Sequence, residues 1–396
     1  MESVKSSKRK SFLGLTPVIL VLGLVSLLTD LSSQMIVPVL PLFLTSVLHV
    51  QIEAVGIIEG IAESTASVLK LFSGWISDHF GRRKPLMIVG YGLSNLVKPF
   101  FALSSSWGQV LAIRFADRFG KGVRAAPRDA LLADVTSKEE RGKAFGFRRS
   151  MDTLGAAIGP LVTYWILTQS GGSYQTVFWA SAIPGVLAVL LLLFFLREQN
   201  RLAATGRRRT LPKIGFKNLN RRFIWFTLAS TLFAVANFSD AFLVLRAQNV
   251  GMATALIPIA YLTFNLTASV FSIPVGVLSD RIGRRPVLIV GYLIFAAIYL
   301  GFGFTENVTW IWILFVIYGL YYAATEGIQK AYIADLVPEG QRGTAMGTFN
   351  ALTGLAALPA SVIAGYLWQL FGPSTAFAAS SCLAILSAIL MIVFRI

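Results

Sequence analysis

Charge is scarce in this chain. Only 14% of its 396 residues are Asp, Glu, Lys or Arg, against about 25% in an ordinary soluble protein. Acidic residues are the scarcer kind, 19 against 35 basic ones, which leaves a formal net charge of +16. Cysteine is reduced to Cys382 and histidine to His49 and His79. A single cysteine permits neither a disulfide framework nor a cysteine-based metal site, and no HExxH pair is present for a zinc enzyme. A basic surplus ordinarily points to nucleic acid. Yet a soluble domain so poor in charge has difficulty covering its surface. Both puzzles have one answer if much of the chain lies in lipid.

What the sequence has instead is long apolar runs. A membrane-crossing helix needs about 20 mostly apolar residues, and twelve such segments are present. They lie near 15–47, 53–77, 85–104, 107–134, 144–168, 175–196, 222–247, 254–279, 286–304, 308–335, 344–370 and 373–394. The first continues through Pro38 and Pro41 and lacks a small-residue cleavage site, so it does not read as a signal peptide. Basic residues alternate between the connections. The tail before segment 1, the connection carrying Arg82, Arg83 and Lys84, the stretch 197–221 and the connection carrying Arg281, Arg284 and Arg285 are basic. Residues 104–107, 169–174 and 371–375 contain no Lys or Arg. By the positive-inside rule both termini are cytoplasmic. The expected fold is an all-α polytopic membrane protein, with bundles over 1–196 and 222–396 joined by a basic cytoplasmic linker at 197–221. Read as a patch, that linker would suit nucleic acid or anionic lipid, but topology already explains its charge.

The halves repeat. GWISDHFGRRKPL begins at Gly74 and GVLSDRIGRRPVL at Gly276, 202 positions later. ADVTSKEERGKAFG begins at Ala133 and ADLVPEGQRGTAMG at Ala334, 201 positions later. Two matched motifs at nearly one offset imply duplicated six-helix units with a solute site at the midplane between them. On these motifs the sequence resembles the major facilitator superfamily over nearly its whole length. The resemblance implies twelve transmembrane helices in two pseudo-symmetric bundles. It also implies a cytoplasmic gate built from Gly74, Asp78, Gly81, Arg82, Asp134 and Arg141, repeated as Gly276, Asp280, Gly283, Arg284, Asp335 and Arg342. RFGKGVRAA, from Arg118, is similar to the segment 4 pattern of proton-coupled members. GAAIGP, with Gly155, Gly159 and Pro160, is similar to the segment 5 pattern of antiporters, although Thr163 and Tyr164 stand where that pattern has glycines. Small-residue helix packing accounts for the same glycines.

Segment 4 carries the most chemistry. At 100° per residue, Arg114, Arg118, Lys121, Arg124 and Arg128 share about a third of the helix circumference, with Asp117 beside them. Three central basic residues cost roughly 8–10 kcal/mol on insertion scales, and the apolar residues return roughly 3. The stripe must therefore face protein or a water-filled cavity. Candidate counter-charges are Asp30, Glu59, Glu63 and Asp152, and Lys98 adds a further cation. The group reads either as a self-neutralising network or as a substrate and proton pathway. The second half differs: at the 201 offset Arg114, Arg118 and Arg124 become Phe315, Gly319 and Thr325. It retains Asp240, Arg246, Glu326 and Lys330, with Tyr318, Tyr321 and Tyr322 as an aromatic wall.

The resulting expectation is a secondary active transporter working by alternating access. It is a proton-coupled exporter of a small organic molecule with anionic character, with Asp30, Glu63, Arg114 and Arg118 handling protons and charge. An uptake carrier or uniporter for an organic anion is the alternative, and a transport-dead sensor or assembly partner a third reading. No P-loop, metal cluster or nucleophile elbow suggests an enzyme, and no cofactor is expected. The expected partners are a small-molecule substrate, protons and the bilayer, but no nucleic acid, with the chain acting as a monomer in the cell (inner) membrane.

Overall fold

The computed structural model describes residues 16–80, 83–137, 140–196, 215–216, 219–394 and 396. Gly81, Arg82 and most of the 197–221 linker lie outside the described residues, and Gly74 and Asp78 are described only as positions along a helix. Among the described residues every regular element is helical. In chain order these are α1 (Pro17–Ile36), α2 (Leu40–Ser46), α3 (Ile52–Phe80), α4 (Arg83–Leu96), α5 (Trp107–Asp134), α6 (Arg141–Gln169) and α7 (Tyr174–Phe195). The second half follows with α8 (Arg221–Ala236), α9 (Ala241–Asn249), α10 (Ile257–Ile282), α11 (Arg284–Phe304), α12 (Val308–Leu336), α13 (Arg342–Phe371) and α14 (Pro373–Val393).

These form the twelve expected crossings as two six-helix bundles. Among the described residues, nine are long and apolar enough to span a membrane by length and composition alone. The other three are α3, α5 and α6, where the charges of the first half are concentrated. Large apolar side chains cover the outside, with Phe194 76% and Ile273 77% exposed. That is costly in water and suited to lipid.

Three of the expected single spans are broken. The first divides at Val37–Val39 into α1 and α2, where Pro38 removes a backbone donor and Pro41 starts the second piece. The seventh divides at Asn237–Asp240 into α8 and α9 without any proline. These breaks lie about 201 residues apart, so the duplication extends to backbone irregularity. The third span ends in a 3-10 turn over Lys98–Leu103, with Pro99 at its start.

The first bundle packs α1 against α6 and α7, and α5 against α3 and α4; the second packs α10 and α11 on α12, with α14 on α11. The bundles meet along α3 and α13, α6 and α10, and α2 and α9. The α3–α13 seam brings backbones together. A Cβ on Gly56 would lie 2.2 Å from the Ser361 carbonyl oxygen, and one on Gly354 would lie 2.3 Å from Ser67 Cβ. The seam is tied by Ile52 N–H to Gln369 Oε1 (3.3 Å), Ser64 Oγ to the Gly354 carbonyl (3.0 Å) and Gln248 Nε2 to Ser46 Oγ (2.9 Å). Ser46, Ile52, Gln248 and Gln369 sit at the end remote from the repeated basic motifs. The molecule is closed there, above the midplane.

Candidate functional site

The α5 stripe turns inward, as its insertion cost demands. α3 and α5 run in the same direction, and each presents charged residues four apart, one helical turn. Two rungs result. Arg114 Nη2 meets Glu59 Oε2 at 2.8 Å, and Arg118 Nη2 meets Glu63 Oε1 at 3.0 Å. Arg114 also approaches Asp117 at 3.8 Å, and Asp117 accepts a 2.6 Å hydrogen bond from Ser94 Oγ. Further along, the Arg124 guanidinium lies 4.3 Å from the Tyr91 ring centroid, a cation–π contact. Arg128 pairs with Asp129 at 3.0 Å, and Arg148 with Asp152 at 2.8 Å. Glycines permit this closeness: Gly90 and Gly120 meet backbone to backbone between α4 and α5, and Gly122 meets Ala66 and Leu69 of α3.

Lys98 is enclosed behind the rungs at 1% exposure. Its Nζ donates to Ser33 Oγ (2.8 Å), Asn95 Oδ1 (3.0 Å) and Ser32 Oγ (3.3 Å). A small cavity separates it from Arg114, Asp117 and Arg118.

The second bundle supplies the facing wall. Asp240, at the α8–α9 break, accepts hydrogen bonds from Tyr318 (2.8 Å) and Tyr261 (3.2 Å). Asn237 at the same break donates to Tyr321 at 3.0 Å. Phe264 packs against Tyr261, Tyr318 and Tyr322. Tyr318 and Tyr321 are buried within the bundle. Arg246 stands apart from this wall and donates to the Phe302, Gly303 and Thr305 carbonyls at the end of α11.

Between the walls lies the accessible part of the site. Lys121 projects from the middle of α5, within electrostatic reach of Glu63 and Asp30, and is solvent-exposed. Asp30 on α1 is half-buried beside Gly155. It makes no direct hydrogen bond or ion pair among the described residues, and lies within electrostatic reach of Lys121, Arg124, Arg128 and Asp152. Toward the motif end, Lys70 and Arg149 are exposed, and Lys330 lies 3.6 Å from Glu326.

The repeated motifs form matching clusters within each bundle. Arg284 pairs with Asp335 at 2.6 Å and with Asp280 at 3.4 Å, and Arg83 pairs with Asp134. Arg141 reaches back to the Ala133 carbonyl and Arg342 to the Ala334 carbonyl, at 3.5 and 3.3 Å. Gly283 adopts φ +94° in the turn between α10 and α11, a conformation that favours glycine. Gly276 has open space at its Cβ position. Gly155 and Gly159, just before Pro160, are pressed on α1: added Cβ atoms would lie 2.4 Å from the Leu27 carbonyl oxygen and 2.8 Å from Gln34 Cβ. Thr163 continues that contact by donating to the Met35 carbonyl at 3.0 Å.

Sequence reasoning misses Arg83 and the Ser32–Ser33–Asn95 cradle of Lys98. For Arg83 a signal exists. Counted forward from Gly81 and Gly283, Arg82 stands opposite Arg284; counted back from Pro85 and Pro286, which are 201 apart, Arg83 does. The hydroxyl cradle carries no signal of its own, because serines are common in membrane helices.

The family model described as Major Facilitator Superfamily matches residues 22–247 and 224–396. An uncharacterized MFS-type transporter of Methanocaldococcus jannaschii is 37% identical over 377 residues, covering 94% of this chain and 93% of that protein. The cis,cis-muconate transport protein of Acinetobacter baylyi is 26% identical over 317 residues, covering 75% and 74%. Among solved structures, a POT family transporter in complex with 5-aminolevulinic acid superposes with a TM-score of 0.81 at 14% identity, covering 99% of each chain. That last likeness concerns the fold.

Proposed function

We propose, since this chain belongs to the major facilitator superfamily, that its transport is secondary active, proceeds by alternating access and serves a small organic molecule with anionic character. The observation that carries the reading is the seam itself. A cationic wall on the first bundle faces a tyrosine wall on the second, in a space closed at one end by the Ser46–Gln248 and Ile52–Gln369 contacts. The name of the muconate relative supports an organic acid as cargo. In this reading the bundles at 1–196 and 222–396 rock about the seam, and the Arg83–Asp134 and Arg284–Asp335 clusters form the cytoplasmic gate. The 197–221 linker and both termini are cytoplasmic, in the cell membrane, and a monomer suffices.

Coupling is to protons, in the direction of export. Asp30, half-buried and without a direct ion-pair partner among the described residues, and Glu63, within electrostatic reach of Lys121, are the carboxylates that exchange them. Uptake is the second reading, favoured by the packing of Gly155 and Gly159 on α1, which accounts for the antiporter-like motif by helix contact alone. Proteoliposomes loaded with an acidic lumen separate the two. Export coupling drives cis,cis-muconate inward under a lumen-acid gradient; symport requires the acid outside. Indifference to the gradient, or its persistence in both Asp30→Asn and Glu63→Gln, overturns the proton assignment.

A further inference from the structure

We infer that Lys121 is the anchor for a carboxylate of the solute, approached through a cationic mouth formed by Lys70, Arg149 and Lys330. This rests on the organic-anion reading above and assigns it to one atom. Most of the α5 stripe already has a partner. Arg114 is held by Glu59, Arg118 by Glu63, Arg128 by Asp129, and Arg124 lies over Tyr91. The guanidiniums of Arg114 and Arg118 sit on side chains only 5% and 8% exposed. To bind a solute anion they would have to leave a carboxylate they already hold. Lys121 belongs to the same stripe, one turn from Arg118, and makes no hydrogen bond or ion pair among the described residues. It is also exposed, within electrostatic reach of Glu63 on α3 and Asp30 on α1.

Lysine suits an anchor of this kind. A guanidinium holds a planar fork in fixed geometry, whereas an ammonium on a four-carbon stem is a mobile point charge. Such a group follows a ligand while two walls move relative to one another. Its nearest carboxylates do not pre-empt it. Glu63 is committed to Arg118, and Asp30 makes no direct bond.

The route to Lys121 has an excess of the same sign, although Lys330 pairs with Glu326, and Glu326 and Asp129 also lie within reach of Lys70. Lys70 on α3 and Lys330 on α12 come from opposite bundles and lie within electrostatic reach of each other. Arg149 on α6 is in reach of Tyr322 on α12. Like charges facing across an opening repel unless water or an anion lies between them, and they raise the local concentration of anions. Beyond them the facing wall presents the ring of Tyr322, half-buried and backed by the buried Phe264, Tyr318 and Tyr321. A flat, unsaturated carboxylic acid fits this combination better than a saturated or neutral molecule, because its body stacks on rings while its carboxylate meets the ammonium.

The test uses the full-length protein in lipid nanodiscs, with cis,cis-muconate, its saturated six-carbon analogue adipate, and neutral dimethyl muconate as probes. Wild type is expected to bind muconate more tightly than adipate and to ignore the diester. Lys121→Gln is expected to lose affinity by about tenfold or more, the worth of one charge-assisted hydrogen bond, with the unliganded melting temperature unchanged. Lys121→Arg, which keeps the charge, is expected to recover part of the loss. Equal muconate affinity in wild type and Lys121→Gln overturns the anchor and leaves the organic-anion reading standing. A melting temperature lowered equally in both variants, with equal loss of binding, overturns it too, because Lys121 is then structural. Absence of binding by any acid to wild type overturns the organic-anion reading and the anchor with it.

Discussion

Arg114 and Glu59 illustrate what a buried ion pair does in a helix bundle. Both side chains are 5% exposed, and each is the other's closest opposite charge. Removing Glu59 leaves Arg114 only the longer 3.8 Å approach of Asp117, and breaking a buried pair costs about 3–5 kcal/mol. Glu59→Gln is therefore expected to lower thermal stability sharply, and Glu59→Gln with Arg114→Gln to recover much of it. A double variant no more stable than the single one contradicts the pairing. At this scale the sequence is half legible. The cost of five basic residues in one span requires that they turn inward. Which carboxylate meets which arginine depends on the register of α3 against α5, and no residue in either helix announces it. The same holds at the motif end, where Arg82 stands opposite Arg284 when counted from the glycines and Arg83 does when counted back from the prolines.

At the scale of elements, the seam between α3 and α13 depends on the absence of side chains. Gly56→Val would place a Cβ 2.2 Å from the Ser361 carbonyl oxygen, a backbone atom that cannot swing aside. The expected result is a protein that still folds in each bundle but no longer closes at the remote end. In a Cys382→Ser background, a Ser46→Cys and Gln248→Cys pair is expected to cross-link readily, and adding Gly56→Val is expected to suppress the disulfide. Undiminished cross-linking contradicts this account of the seam. Apolar periodicity marks the helices well. The break at Val37–Val39 has Pro38 and Pro41 to signal it, but reads as one span because the hydropathy never drops. The break at Asn237–Asp240 has no proline. Its polar groups are satisfied by Tyr261, Tyr318 and Tyr321, which come from α10 and α12, and such long-range partners are invisible locally.

For the whole molecule, alternating access makes a reciprocal forecast. Spin labels at Ser46 and Gln248 report the closed end, and labels at Lys70 and Lys330 the opposite one. Reversing the molecule is expected to lengthen the first distance while shortening the second. Both distances changing in the same direction, or neither changing, counts against rocking of two rigid bundles. The duplication itself is legible because two motifs recur at nearly one offset. The division of chemistry between the halves is legible from Arg124 and Thr325, equivalent positions of opposite character. Gly90 contacts Arg124 as Gly291 contacts Thr325, so the scaffold is shared while the chemistry has diverged.

The two rungs between α3 and α5 also bear on how the chain is made. Synthesis delivers Glu59 and Glu63 to the membrane 55 residues before Arg114 and Arg118. Released alone, α5 would meet lipid with its arginines bare, at a cost its apolar residues do not offset. α3 must therefore remain near the site of insertion until α5 arrives, so that the two enter the bilayer as one neutral unit. Exchanging charge between the helices, with both glutamates made arginine and both arginines made glutamate, would keep that unit intact, whereas changing either helix alone would strand its partner during biogenesis.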